Sequence, residues 1–222
     1  TPRAMTEAEI ADAVQGFADA AERAIATAGF DGIEIHGANG YLIDQFLTES
    51  TNRRTDRWGG DTSRRTAFLV AVLRAVRERV GGRVPVGVRI SQGKVNDFAH
   101  TWAGGERDAE AIFGAIARAG ADTIHVTEHE AWKPAFEGGR DSLVALARRF
   151  APDLRLIANG GLHDPARAQA VLEAGADLVA LGKGALANPD FPDRIRTGRE
   201  AAAFDPALLG PIANIKPSEL AA

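Results

Sequence analysis

One tetrad recurs three times and governs what this chain can fold into. Ala28-Gly29-Phe30-Asp31, Ala119-Gly120-Ala121-Asp122 and Ala174-Gly175-Ala176-Asp177 each close a helical stretch and open a short apolar one. Glycine there suits the left-handed residue that ends a helix. Helix, tight turn, strand, repeated, calls for parallel strands joined by right-handed crossovers. The loops that follow the strands then share the opposite end of the sheet, where such folds place their chemistry.

Five strands fit the pattern, over residues 32–35, 84–91, 123–127, 154–158 and 178–181. The first helix opens on the capping box Thr6-Glu7-Ala8-Glu9 and carries Ile10, Val14, Phe17, Ala21 and Ile25 on one face. Residues 66–80 form a second helix, with Phe68, Leu69, Val72, Leu73 and Val76 inward. Further helices are predicted over residues 107–119, from Asp141 or Ser142 to 150, and from the Asp164-Pro165 cap to 174. Asn188-Pro189 is expected to cap a last helix through 196. Residues 48–65 and 92–106 read as long loops. A barrel of eight βα units takes roughly 250 residues, and only five strands are found. The prediction is therefore an α/β fold of the (β/α)₈ type, with about five of eight βα units over residues 1–198 and an irregular tail over 199–222. An open doubly wound sheet is the alternative. Five parallel strands leave two unpaired edges, a liability. A partner chain, a missing amino-terminal segment or a second copy is expected to complete the wall. Thr1 stands where an initiator Met would, so a fragment or processed product is expected.

Composition narrows the classes. The 222 residues, 45% hydrophobic and 25% charged, are those of a globular protein. A net charge of −4 gives no reason to expect a nucleic-acid partner. The absence of cysteine removes disulfides, thiolate metal sites and cysteine nucleophiles, and fits a cytoplasmic protein. No apolar run approaches the roughly 20 residues that span a bilayer, so no membrane partner is expected.

The first strand runs into His36-Gly37-Ala38-Asn39-Gly40-Tyr41. His36 can donate, accept or titrate; Asn39 offers an amide and Tyr41 a phenol. Arg89 sits within an apolar strand, with an internal ion pair as its structural alternative. Asn159-Gly160-Gly161 and Gly182-Lys183-Gly184 end the last two strands. His125, Glu128 and His129 invite a metal reading, but a strand would turn Glu128 away from the two histidines; no metal is assigned. Arg53, Arg54, Arg57, Arg64 and Arg65 lie among Glu49, Asp56 and Asp61, which favours local salt bridges over a basic patch. Trp58, Trp102 and Trp132 either roof a pocket or pack the loops down.

With Gln45-Phe46-Leu47, Asn52-Arg53-Arg54-Thr55-Asp56, Trp58-Gly59-Gly60, Val88-Arg89-Ile90-Ser91 and Asn188-Pro189-Asp190, these motifs resemble the Old Yellow Enzyme family of FMN-dependent NAD(P)H oxidoreductases, in its carboxyl-terminal part. The resemblance implies a (β/α)₈ barrel, FMN as cofactor, NADH or NADPH as reductant and a small electron-poor alkene as substrate. It assigns His36 and Asn39 to the substrate's carbonyl oxygen and Tyr41 to proton donation. Arg89 falls beside the flavin's N1 and O2 edge, and Asn159, Gly160, Gly161, Gly182 and Lys183 around its phosphate. The family usually has arginine where Lys183 stands; lysine keeps the charge but loses the bidentate fork. The residue types suit this chemistry. Two donors on an enolate oxygen stabilise charge where it develops, and a phenol supplies the proton for the other carbon. A flavin-free partner subunit or non-catalytic barrel fragment, and a phosphate-binding aldolase or isomerase, are the competing readings.

Overall fold

The computed structural model describes residues 3–217 and 220. Residues 1, 2, 218, 219, 221 and 222, at the ends of the expected barrel segment and tail, lie outside the described residues. Five parallel strands form one sheet in the order β1-β2-β3-β4-β5. They are β1 (Ile33–His36), β2 (Val86–Ile90), β3 (Thr123–Thr127), β4 (Arg155–Asn159) and β5 (Leu178–Ala180). The order never reverses, and a doubly wound sheet requires a reversal; the wall of a βα barrel is what remains. Helices α1 (Glu7–Glu22) and α4 (Ala67–Val80) flank β1 in sequence. Helices α5 (Glu106–Arg118), α6 (Leu143–Phe150) and α7 (Pro165–Glu173) connect successive strands after β2.

Side chains alternate along each strand, and here the two sides differ sharply. Val86, Val88, Ile90, Ile124, Val126, Leu156 and Ala158 have no solvent exposure. They share a core with Phe68, Leu69 and Val72 of α4, Ile112, Phe113 and Ile116 of α5, and Leu143 and Leu146 of α6. On the other side Glu34, His36, Arg155 and Leu178 are exposed, while Arg89, Ile157, Asn159 and Ala180 are half-buried. β1 and β5 each have one neighbour.

The recurring tetrads fasten the lower end of the sheet. Gly120 and Gly175 have φ of +87° and +114°, a conformation that favours glycine. Asp122 accepts from the Val86 amide at 2.7 Å and from Arg77, which also donates to the Gly120 carbonyl. Asp177 repeats this one unit later, accepting from the Leu156 amide at 2.8 Å and from Arg148, which also reaches the Gly175 carbonyl. Each aspartate thus ties its own turn to the preceding strand and to the helix before it.

The predicted capping box is present: Thr6 Oγ1 accepts from the Glu9 amide, and Glu9 accepts from the Thr6 amide at 2.8 Å. Four local expectations change. The first helix continues through a π-helical turn, Arg23–Thr27, before Gly29. The loop over residues 48–65 follows a short helix, α2 (Leu42–Leu47), and ends in another, α3 (Thr62–Arg65). Asp61 creates α3 by accepting from the Arg64 amide at 2.9 Å. The turn at Lys183 is the start of α8 (Lys183–Ala187), and the last helix, α9 (Phe191–Thr197), begins at Asp190 rather than Asn188. Asn188 is committed elsewhere. It is buried, donates to the carbonyls of Gly184 and Ala202, and accepts from the Ala202 amide at 2.8 Å. That pins the chain just beyond α9; further on, the tail carries a 3₁₀ turn at Pro206–Leu209. Among the described residues no helix is long and apolar enough to cross a membrane.

Candidate active site

His36 is the last residue of β1, and Arg89 is its register partner on β2. Gly37 lets the two strand ends meet: its amide donates to the Arg89 carbonyl at 2.9 Å, and a Cβ there would sit 3.0 Å from that oxygen. The chain then turns at Asn39, whose φ of +64° is uncommon for any residue but glycine, and at Gly40, φ +84°. Asparagine is among the few side chains that accept this region. Tyr41 occupies the N-cap position of α2 with extended backbone. Its ring packs against His36 at 5.2 Å between centroids, and it is 52% exposed, leaving the phenol reachable. Burial, and then the positive charge of Arg89, hold the His36 pKa below the usual imidazole value. The ring is accordingly neutral at pH 7 and acts as a hydrogen-bonding group rather than a cation.

Arg89 has no carboxylate bonded to it among the described residues. It donates from Nη2 to Thr127 Oγ1 at 3.0 Å and to Asn159 Oδ1 at 3.2 Å. Thr127 donates to the same amide oxygen at 2.8 Å, and Asn159 Nδ2 donates to the Ala180 carbonyl at 2.9 Å. A polar seam thereby crosses β2, β3, β4 and β5 at their carboxyl ends. Arg89 Nε is buried with no partner. Below the seam His125 Nδ1 bonds Glu34 at 2.8 Å, while its Nε2 is buried and unbonded. Burial pushes the Glu34 carboxyl up, but the His125 bond and the charge of Arg89 outweigh it, and the net shift is downward.

Beside the seam lies a cleft of about 410 Å³. Asn39, Asn159, Gly160, Gly161, Gly182 and Lys183 all line it; His36, Tyr41 and Arg89 stand outside its lining. Gly160, at φ +132°, approaches the backbone so closely that a Cβ would fall 1.8 Å from the Glu128 carbonyl oxygen. At Gly161, φ +65°, a Cβ would meet the Trp132 ring at 2.6 Å. Lys183 has no carboxylate partner among the described residues; its ammonium lies 5.7 Å from the centre of the Phe204 ring.

Sequence reasoning missed the holding role of five residues. Lys94 forms a buried ion pair with Asp44, 2.7 Å to each oxygen. Ser91 accepts from the Asn39 amide at 2.8 Å, and Thr127 links Arg89 to Asn159. Glu128 accepts from the Gln92 and Gly93 amides; burial raises its pKa to about 7 despite those bonds. Only Thr127 carried a usable signal, two residues beyond the register partner of Arg89 and so on the same side of the sheet. The others pair residues that are dozens of positions apart.

The remaining singled-out residues find structural employment. His125 bonds Glu34, Glu128 bonds the backbone amides, and His129 packs on Phe98. Arg54 pairs with Asp56 and Arg57 with Glu7, and Arg65 is buried on the carbonyls of Leu47 and Gly60. Trp58 and Trp102 are buried against Phe68 and Phe113, packing the loops down. Trp132 backs the Gly161 turn and carries Arg167 over its ring at 4.2 Å.

Five sequential parallel strands, helices on one face, and a glycine-lined cleft across the strand ends define a segment of a βα-barrel enzyme fold with its site at the carboxyl ends of the strands. The chain belongs to the NADH:flavin oxidoreductase / NADH oxidase family, the Old Yellow Enzyme family, whose match covers residues 1–202. It is 37% identical over 205 residues to a probable NADH-dependent flavin oxidoreductase of Bacillus subtilis, covering 89% of this chain and 54% of that one. A probable flavin mononucleotide-dependent alkene reductase of Leishmania infantum is 40% identical over 210 residues, 93% of this chain and 54% of the relative. Among solved structures, morphinone reductase in complex with tetrahydroNAD superposes with a TM-score of 0.79 at 36% identity, over 93% of this chain and 54% of that chain. The chain spans about half the length of these relatives.

Proposed function

We propose that this chain carries the substrate-facing side and the phosphate cradle of an FMN-dependent NAD(P)H oxidoreductase that reduces the activated C=C bond of α,β-unsaturated carbonyl compounds. The observation that carries the reading is one juxtaposition: His36, Asn39 and Tyr41 on a single strand-end turn, beside Arg89 and next to the glycine-lined cleft. The residues fit the cofactor. Arg89 Nε is buried without a partner, as a donor awaiting an acceptor would be. Gly160 and Gly161 line the cleft without side chains, and Lys183, with no carboxylate partner among the described residues, brings a cation to the same cleft.

FMN supplies the hydride when bound, and NADH or NADPH restores it. Arg89, fixed by Thr127 and Asn159, is the preorganised cation for negative charge at the ring edge it would face. Asn159, Gly160, Gly161, Gly182 and Lys183 would hold the phosphate. His36 and Asn39 hold the substrate's carbonyl oxygen, and because His36 is neutral it steadies the growing negative charge by donating a hydrogen bond without losing its proton. Tyr41 gives its phenol proton to the carbon α to the carbonyl. The exposed inner side of the sheet and the single-neighbour edges β1 and β5 support completion of the wall by a further amino-terminal segment, a partner chain or a second copy. The lack of cysteine supports a cytoplasmic setting.

The test is a titration of the purified chain with FMN, followed by NADH and NADPH oxidation with 2-cyclohexenone, repeated with the amino-terminal half of a relative supplied in trans. Flavin retention and enone-dependent oxidation are expected in at least the completed form. A protein that stays colourless and inactive in both forms overturns the reading.

A further inference from the structure

The turn that carries Asn39 does not hold itself. Asn39 sits at φ +64° and lines the cleft. Three bonds from outside the turn keep it so. The Asn39 amide donates to Ser91 Oγ at 2.8 Å, the Asn39 carbonyl accepts from the Val95 amide at 3.3 Å, and the Gly40 amide donates to Asp44 Oδ2 at 2.6 Å. Asp44 has no solvent exposure and is held by Lys94 Nζ at 2.7 Å to both oxygens. Ser91 in turn donates to the Gly93 carbonyl at 2.7 Å. Ser91, Lys94 and Val95 all belong to the segment that leaves β2, the strand of Arg89. The far side of that segment is fastened as well, by Glu128, which accepts from the Gln92 and Gly93 amides and whose own carbonyl lies against Gly160.

We propose that Lys94 and Asp44 are positioning residues for substrate binding: Lys94 borders the cleft, but its ammonium is spent on the buried Asp44, and the pair fixes Asn39 against the β2-end segment. The inference rests on the proposed alkene reduction for its catalytic part. A buried carboxylate left without its cation must find another partner or take up a proton; the first moves the acceptor of the Gly40 amide and the second weakens it. The pair therefore does more than cement two segments: it supplies the acceptor that closes the turn carrying Asn39. A donor displaced by about 1 Å from a reacting oxygen costs on the order of 100-fold in rate.

The experiment compares the flavin-loaded enzyme with Lys94→Met and, because an unpaired buried Asp44 endangers folding, with Ser91→Ala. Ser91→Ala leaves the ion pair whole and removes only the acceptor for the Asn39 amide. Two readouts are taken. The first is hydrogen–deuterium exchange over residues 37–45 in the protein without substrate; it does not depend on activity. The second is kcat/KM for the enone beside the FMN dissociation constant. Expected for Lys94→Met are at least about tenfold faster exchange confined to that turn and a fall in kcat/KM of about 10- to 100-fold, with FMN affinity unchanged within about twofold. Ser91→Ala should move both quantities in the same direction by less. Unchanged exchange in both variants overturns the inference, whatever the activity of the enzyme. So does faster exchange with wild-type kcat/KM, and so does loss of FMN in step with loss of rate, which marks a structural role only. Wild-type enzyme that binds no FMN and reduces no enone instead defeats the proposed reaction, and is recognised without any variant.

Discussion

Val88 and Arg89 are neighbours in sequence, yet one is sealed against α4 and α5 while the other stands half-open on the inner side of the same strand. The contrast runs across the whole sheet. The helix-covered face is apolar and closed; the inner face carries His36, the bonded pair Glu34–His125, and Arg89, Thr127 and Asn159 joined by hydrogen bonds from strand to strand. One period-two strand thus serves two ends: its outward residues hold the fold and its inward residues carry the proposed chemistry. Substitutions on the two faces should separate accordingly, stability from rate.

The largest separation is expected at Tyr41. Tyr41→Phe removes one exposed hydroxyl, so the melting temperature should stay unchanged while alkene reduction falls about 10²- to 10⁴-fold; stopped-flow measurement of substrate reduction reads it. On the closed face Phe113→Ala should do the opposite. Phe113 is fully buried between α5 and the sheet, and its loss should cost about 3–5 kcal/mol by denaturant unfolding. Glu128 is an intermediate case, because burial raises its pKa from 4.5 to about 7. The folded protein keeps a proton that the unfolded chain releases. Its contribution to stability is therefore complete below pH 4.5 and is lost as the pH rises to about 7, by on the order of 3 kcal/mol. Glu128→Gln should flatten that part of the stability–pH curve, measured by thermal melts at stepped pH. The smallest effect is expected at Leu178, 58% exposed on the inner face of β5. Leu178→Ser should change stability by less than about 0.5 kcal/mol. A cost of 2 kcal/mol or more would show that this face is covered in solution, and the contrast between the faces would then hold only for the chain by itself.

The outer face was legible in the sequence because it is local. Period-two and helical spacing, the capping box and the tetrads each fall within a few residues, and they place all five strands and the main helices. That His36, Asn39 and Tyr41 gather at one strand end was legible for the same reason, since they lie within six residues. The misplacements have a different physics. Asn188 has the makings of an N-cap, but its amide is drawn to Ala202, fourteen residues on. Asp44 and Lys94 are fifty residues apart, and a charge pair at that distance leaves no periodic trace. Glu128 reads as a loop carboxylate until the Gln92 and Gly93 amides are folded onto it.

The aspartate clamps at the lower end of the sheet have a consequence for inheritance. Asp122 and Asp177 join their units to the strand before by the same connector: a backbone amide, an arginine and a glycine carbonyl. Units that share a connector can be exchanged. Crossovers at residues 120–122 or 175–177 with a relative that has the same arginine, glycine and aspartate would preserve the connector while importing whole strand-end loops from another lineage. The same two points are where a chimera of this chain and a relative should be cut.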